Sequence, residues 1–147
     1  MKLRRILHAT DFSPASRRAF STALALARRS RAELLLVHVA AVPAPLLEDA
    51  YLSVASYRKA LAEGRSTAEA KLDALRRRAQ EAGVRATPLV VDGIAFQQIP
   101  RVAQRRRADL VVIGTHGRTG FRRLMMGSVA RRVIGLTGCP VMTVPSR

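Results

Sequence analysis

The sequence is short of cysteine and of long apolar runs. Its single cysteine, Cys139, cannot form a disulfide within the chain and has no companions at zinc-ligand spacing, which favours a reducing compartment. No apolar run reaches the roughly 20 residues that a transmembrane helix needs. The opening stretch MKLRRILHATDF lacks the continuous apolar segment of a secretory signal. We therefore expect a cytoplasmic protein without a membrane segment.

Acidic residues are scarce beside basic ones. Ten Asp and Glu residues stand against 26 Lys and Arg residues, a formal net charge of +16, which attracts phosphate-bearing partners. The basic residues occur in small groups, most of them at the ends of helical patterns, where cations complement the helix dipole. We interpret most of them as solvated helix faces. Nucleic acid stays an alternative partner, but the chain has only six aromatic residues for stacking on bases and no evident basic stripe.

Apolar patterning alternates between the strand and the helix period along the chain, and its length suits one domain spanning 1–147. Strands that alternate with helices of ten or more residues indicate right-handed crossovers and a mainly parallel sheet. We expect a three-layer, Rossmann-like α/β fold with helices on both faces of an open sheet in the order 3-2-1-4-5. The five predicted strands cover residues 4–10, 33–40, 84–91, 108–114 and 139–144.

Local signals predict where the helices begin and end. Ser13 followed by Pro14 is typical of a helix N-cap with proline at the first helical position. A short helix is expected near residues 46–57, followed by a separate, stronger helix over 67–83 that stops at its glycine. The next helical pattern contains Pro100, so that helix either begins near the proline or kinks there.

A glycine-containing loop joins the fourth strand to a helix predicted over 127–136. It carries Gly114, Gly117 and Gly127, the last followed by Ser128. Gly114 and Gly117 permit positive φ and let backbone N–H groups approach an anion, and a helix N-terminus favours a polyphosphate. A P-loop would need a lysine before the serine, and a dinucleotide fold would need glycines after the first strand. The alternative, that these residues only shape a turn and cap a helix, does not explain why all of them follow one strand.

With this loop the chain resembles the universal stress protein family, whose nucleotide-binding members carry G-x2-G-x9-G-[S/T] after the fourth strand. The resemblance extends over essentially the whole chain, through the segments ATDFS, LLLVHV, ADLVVIGTHG and PVMTV. It implies a stress-response sensor or adaptor that binds ATP or another adenine nucleotide, with Mg²⁺ or Mn²⁺ as an open question. One difference is Ala9, where many ATP-binding relatives have a proline before Thr-Asp.

The expected site lies where strands one and four are neighbours, the switch point of an open α/β sheet. Asp11 would serve the nucleoside end and Gly127 the phosphates; alternatively, Asp11 only stabilises its turn. The resemblance implies that Val39 meets adenine through its backbone and that residues around the loop line the pocket. The expected binding residues are Thr10, Asp11, Val39, Ile113, Gly114, His116, Gly117, Gly127, Ser128, Val129 and Ala130.

The last predicted strand is short and terminal, so it would lie at an edge of the sheet, and exposed edges are commonly covered or paired. The resemblance implies a homodimer joined through this strand. The alternative is a monomer whose edge is protected by Pro140, Pro145 and Arg147.

The sequence offers little machinery for catalysis. Phosphoryl transfer needs carboxylates that hold a metal, a cation at the leaving phosphates and a positioned nucleophile, and Asp11 is the only acidic residue expected near the loop. We therefore expect binding without rapid turnover, with slow ATP hydrolysis and a basic nucleic-acid-associated protein as the alternatives. His8 and His38 lie inside apolar strands and are expected in the core.

Overall fold

The computed structural model describes residues 1–41, 54–115 and 126–145, and in these ranges five strands alternate with four helices. All strand pairs are parallel, in the order β3-β2-β1-β4-β5. This confirms the predicted α/β fold and its strand order. The elements are β1 (Arg5–Ala9), α1 (Pro14–Ser30), β2 (Glu33–Ala40), α2 (Val54–Glu81), β3 (Ala86–Asp92), α3 (Ala95–Arg105), β4 (Leu110–Gly114), α4 (Ser128–Leu136) and β5 (Val141–Val144).

The sheet separates two apolar cores, because successive side chains of a strand point to opposite faces. On one face Ile6 packs with Phe20 of α1 and Leu72 of α2. On the other face Leu7 packs with Ile99 of α3 and Val133 of α4. Helix α1 therefore covers one face of β1, and α4 covers the opposite face of the sheet.

Helix α1 begins as its sequence predicts. Ser13 is the N-cap with φ −69° and ψ 163°, its Oγ accepts a hydrogen bond from the N–H of Ser16 at 3.2 Å, and Pro14 opens the helix. The helix ends at Ser30, and its C-cap Arg31 adopts the left-handed conformation with φ 53° and ψ 36°. Such an ending is common in helices, but glycine usually occupies the position.

Helix α2 differs from the two helices that the sequence predicts. A single helix of 28 residues runs from Val54 to Glu81 through Gly64, and the earlier part of the expected helix at 46–57 lies outside the described residues. A glycine inside a helix costs only about 1 kcal/mol, and the buried Ala68, Leu72 and Ala79 anchor the helix on the sheet. The exposed Gly64 therefore does not interrupt the helix.

Helix α3 spans Ala95–Arg105 with Pro100 inside it, so the proline does not mark its start. Within residues 1–41, 54–115 and 126–145, no helix combines the length and the apolar character that crossing a membrane requires.

Candidate functional site

A crevice opens where the strand order reverses. Strands β1 and β4 pair side by side, with Ala9 opposite Ile113, while the helices that follow them, α1 and α4, lie against opposite faces of the sheet. The chain therefore diverges at the carboxyl ends of these strands, which is where open α/β sheets bind ligands.

The turn after β1 is held by side chains that bond to its own backbone. The hydroxyl of Thr10 accepts from the N–H of Phe12 at 3.0 Å and lies 2.9 Å from the hydroxyl of Ser16. The carbonyl of Thr10 accepts from Nδ1 of His38 at 2.9 Å. Phe12 occupies the left-handed region with φ 63°, and its ring lies 4.7 Å from that of His38. Thr10, 7% exposed, is thus a structural residue of this turn that also lines the crevice.

The carboxylate of Asp11 has a structural contact as well. Its Oδ1 accepts a hydrogen bond from the N–H of Ser13 at 3.0 Å, the turn-stabilising role that was the alternative for this residue. Asp11 is half-buried and also lines the crevice. Its position therefore allows it both to stabilise the turn and to contact a ligand.

Gly114 is a glycine because of helix packing. A Cβ built on it would lie 3.0 Å from the carbonyl carbon of Ala15 and 3.2 Å from the backbone nitrogen of Ser16. Its φ is not positive, nor is that of Gly127, which has φ −57°. The expectation that Gly114 supplies a positive φ for an anion is therefore wrong. Its missing side chain lets the first turn of α1 approach the end of β4.

The N-terminus of α4 holds three amides that face the crevice without a helical partner. The N–H of Gly127 is already engaged, since it donates to the carbonyl of Thr115 at 2.6 Å. The first hydrogen bond within the helix runs from the N–H of Arg131 to the carbonyl of Gly127 at 3.1 Å. Between them, the N–H groups of residues 128–130 have no acceptor in the described part of the chain, and no side chain caps the helix. These donors favour an anion.

Thr115 links this helix start to the edge of the sheet. Its N–H donates to the carbonyl of Val144 in β5 at 3.0 Å, and its carbonyl accepts from Gly127. The peptide unit before Thr115 therefore bonds to β5, and the peptide unit after it bonds to the amide of Gly127 at the start of α4.

The crevice contains a cavity of about 170 Å³. Its floor is an extension of the core beneath α3 and α4, formed by Val37, Ile99 and Ile113, and its rim is polar. An apolar floor with a few polar groups at the rim is typical of small-molecule sites. The lining residues are Ala9, Thr10, Asp11, Ser16, Val37, Val39, Ala95, Ile99, Ile113, Gly114, Thr115, Gly127, Ser128, Val129 and Ala130.

Nine of the eleven expected residues lie together in this lining. The other two, His116 and Gly117, fall outside the described residues. Sequence reasoning missed Val37 and Ile99, whose apolar side chains look like ordinary core positions. A signal was available for Val37, because it lies two positions before Val39 and therefore on the same face of β2.

His8 lies next to this site on the opposite face of the sheet. It is fully buried, its Nδ1–H donates to the carbonyl of Val112 at 3.3 Å, and its ring lies 5.8 Å from that of Phe20. Its Nε2 is the only buried side-chain nitrogen or oxygen without a partner among the described residues. Burial lowers the pKa of His8 to about 4. His8 is confirmed as a core residue, whereas His38 is only half-buried.

Metal ligands do not gather in this part of the molecule. Within the described ranges, no three His, Cys, Asp or Glu side chains lie close enough together to hold an ion.

Comparison with known proteins identifies the family. The family model described as Usp, the universal stress protein family, matches residues 2–145 of this chain. The chain belongs to the universal stress protein family. It is 33% identical over 145 residues to the universal stress protein MJ0531 of Methanocaldococcus jannaschii, a match that covers 96% of this chain and 81% of the relative.

Solved universal stress proteins share the fold. UspA from Lactobacillus plantarum superposes with a TM-score of 0.84 at 22% identity, covering 98% of this chain and 99% of that protein. A universal stress protein from Archaeoglobus fulgidus in complex with dAMP gives a TM-score of 0.70 at 21% identity, covering 98% and 99%. A family member from Arabidopsis thaliana with AMP bound gives 0.69 at 23% identity, covering 97% and 91%. Some structural neighbours of this chain thus carry adenine nucleotides.

Proposed function

We propose that this universal stress protein binds an adenine nucleotide, ATP in particular, in the crevice between β1, β4 and α4. The observation that carries the proposal is the combination of an apolar cavity with helix amides at one end of it that have no acceptor among the described residues. Structural neighbours that carry dAMP and AMP support the same class of ligand.

The base would occupy the apolar end of the cavity. Val37, Val39 and Ile99 offer a wall against which a flat ring packs, and the backbone of Val39 would recognise its edge. The enclosed 170 Å³ is below the roughly 300 Å³ at which sites for whole small molecules begin, so it would hold only part of the nucleotide. Asp11 at the rim would accept from a ribose hydroxyl through its carboxylate.

The phosphates would lie at the start of α4. Three N–H donors of residues 128–130 and the hydroxyl of Ser128 meet there, at the positive end of the helix dipole. This differs from the arrangement expected from the glycines, because the amide of Gly127 is bonded to Thr115 and Gly114 serves packing. The anion-binding donors would be those of the helix itself.

Two changes of Ser128 test the phosphate end. Ser128→Pro removes both the amide and the hydroxyl, yet proline is favoured at the first helical position, and Gly127 with ψ 150° already has the conformation that precedes proline. Ser128→Ala removes the hydroxyl alone. Calorimetric titration should give weaker ATP binding by about tenfold for the proline variant, with adenosine binding unchanged, and a smaller loss for alanine.

The same titrations compare the affinities of the protein for different nucleotides. ATP should bind more tightly than AMP, and AMP more tightly than adenosine; repeating them with Mg²⁺ and with Mn²⁺ tests metal dependence. No binding at millimolar ATP by the folded protein would refute the proposal, as would a Ser128→Pro variant that binds ATP as the wild type does.

We infer that the nucleotide acts as a signal, with the protein serving as a sensor or adaptor and turnover being slow or absent. Among the described residues, Asp11 is the one acidic side chain in the cavity lining, and the N–H of Ser13 already donates to one of its oxygens. A phosphate-release assay comparing wild type with Asp11→Asn tests this. Rapid release that Asp11→Asn abolishes would contradict it.

We further propose a homodimer joined through β5. This strand is an edge of the sheet, and Met142 in it is 37% exposed. The carbonyl of Val144 accepts from Thr115, so the N–H and C=O of the preceding residue, Thr143, point away from β4 towards a partner strand. Thr143→Pro should therefore shift the protein from dimer to monomer in light scattering, whereas Thr143→Ala should remain dimeric. A wild-type monomer would contradict the proposal.

A further inference from the structure

The arginine clusters of this chain meet at one edge of the sheet. Each helix runs back across the sheet, so helices end at the edge where the strands begin, which we call the amino edge. Arg28 and Arg29 lie in the last turn of α1, and Arg105 and Arg106 lie at the end of α3. Groups that are scattered along the sequence therefore converge in the fold.

Backbone hydrogen bonds show how closely these groups are set. The N–H of Leu34 donates to the carbonyl of Arg85 at 2.9 Å, joining the starts of β2 and β3. The N–H of Glu33 donates to the carbonyl of Arg4 at 2.8 Å, and that of Asp109 to the carbonyl of Arg5 at 2.9 Å. Neighbouring strands lie about 4.8 Å apart, so the row from β3 to β4 extends over about 14 Å.

Two carboxylates at this edge, Asp109 and Glu33, are used within the fold, whereas Glu81 at the end of α2 is exposed. Asp109 accepts from the backbone N–H groups of Arg4 at 2.7 Å and Arg5 at 2.9 Å, bonds that hold the pKa of its carboxyl below the usual value. Glu33 accepts from the hydroxyl of Thr87 at 2.7 Å and lies 3.7 Å from Arg5. Asp109 is therefore tied to the starts of β1 and β4, and Glu33 pairs with Arg5; among the described residues, neither carboxylate pairs with another arginine of this edge.

Seven further arginines of the amino edge are exposed and form no ion pair within the described part of the chain. Arg28, Arg29, Arg31 and Arg85 and residues 105–107 are all exposed. Among the described residues, no carboxylate lies within 4.0 Å of any of these seven side chains. The helix dipole accounts for one or two cations at a helix end but leaves this surplus unexplained.

We propose that the amino edge binds the phosphate backbone of a nucleic-acid duplex without regard to base sequence. Arginine suits phosphate because its guanidinium donates two parallel hydrogen bonds, and only three of the 26 basic residues are lysine. A duplex carries one charge per about 1.7 Å of its axis when both strands are counted, so a row of about 14 Å lies along a segment with about eight phosphate charges. The site lies at the opposite end of the strands from the nucleotide crevice and acts independently of it.

Other polyanions fit this edge less well. Single strands are usually held by bases stacked on aromatic rings, and the described residues place no exposed aromatic side chain at the amino edge. A bilayer would need an apolar surface beside the charges, but of the exposed large apolar side chains in the described chain only Met1 and Leu136 lie near this edge.

Binding of the full chain to a labelled duplex DNA, measured by fluorescence anisotropy in two unrelated sequences, tests the proposal. Between about 0.05 and 0.2 M NaCl the affinity should fall steeply and equally for both sequences. The triple change Arg29→Gln, Arg85→Gln and Arg106→Gln should reduce the slope of log K against log salt by about 2 to 3, because each lost phosphate contact contributes about 0.9.

The matched control is Arg17→Gln, Arg18→Gln and Arg58→Gln, which removes the same charge from exposed positions away from the amino edge. It should change the slope by less than about 1. Equal losses in both triple variants, tighter binding to a single strand, or binding to phosphatidylserine vesicles without duplex binding would each overturn the proposal. Ser128→Pro should bind the duplex as the wild type does, and unchanged melting temperatures would show that all variants are folded.

Discussion

The two edges of this sheet differ although the same alternation of strand and helix builds both. At the carboxyl edge, where helices begin, the chain places the Ser13 cap of α1, a glycine and small residues around a cavity. At the amino edge, where helices end, it places exposed arginines. Residues that suit individual helix starts and helix ends are gathered by parallel topology into two surfaces of different chemistry. Residue preferences at single helix ends thus determine the chemistry of a whole edge of the sheet.

The largest effect is expected at the carboxyl edge, from Gly114→Val. Its Cβ would lie 3.0 to 3.2 Å from backbone atoms of α1, which cannot rotate away as a side chain would. We expect a loss of about 3 kcal/mol in the free energy of unfolding, measured with urea. In the control Gly64→Ala the new methyl group meets nothing within 4 Å, and helix propensity should raise stability by up to about 1 kcal/mol. Equal stability of the two variants would contradict the packing role of Gly114.

Acid should act through His8. Its pKa of about 4 in the folded protein is below the 6.5 of the unfolded chain, so the unfolded state takes up the proton first. Stability should therefore fall as the pH drops from about 6.5 to 4, by on the order of 3 kcal/mol, and change little above that range. Urea unfolding across this pH range measures the effect. In His8→Leu most of this slope should disappear, and a slope that persists would assign the acid sensitivity to other groups.

The start of α1 should be worth about 1 kcal/mol. Ser13→Ala removes the acceptor of the Ser16 N–H and leaves that buried donor without its partner. The loss should appear in urea unfolding at neutral pH. Ser13→Thr keeps the hydroxyl and should recover most of the stability.

The end of the same helix should respond in the opposite direction. Arg31 holds a left-handed conformation that glycine adopts without cost, so Arg31→Gly should raise stability by less than about 1 kcal/mol in urea unfolding. The same change should weaken duplex binding if the amino edge binds phosphates. Arg31→Ala, which keeps the steric cost, should weaken binding equally without any gain in stability.

Much of the fold could be predicted because its signals are local. Strand β2 is a nearly unbroken apolar run and was predicted at its observed bounds, and the Ser13–Pro14 start of α1 follows from capping chemistry. The nine residues that line the cavity could be assigned to one site from the sequence because the strand order was predicted correctly. Each of these features depends on a short stretch of sequence combined with a general rule of topology.

The remaining features depend on contacts between distant segments. That Gly114 admits the backbone of α1, and that the amide of Gly127 is bonded to Thr115, are results of tertiary packing that glycine spacing does not reveal. The arginine groups were interpreted one helix at a time as solvated faces. Their convergence becomes visible only when all helix ends are placed at the same edge.

Thr115 connects the strand of the proposed dimer interface to the proposed nucleotide site by two backbone hydrogen bonds. Because its N–H binds Val144 and its carbonyl binds Gly127, a shift of β5 must either carry the first turn of α4 with it or break one of these two bonds. Occupancy of the crevice and the fit between subunits would then constrain each other through Thr115. Such a short mechanical connection would transmit a ligand signal without any large rearrangement of the sheet.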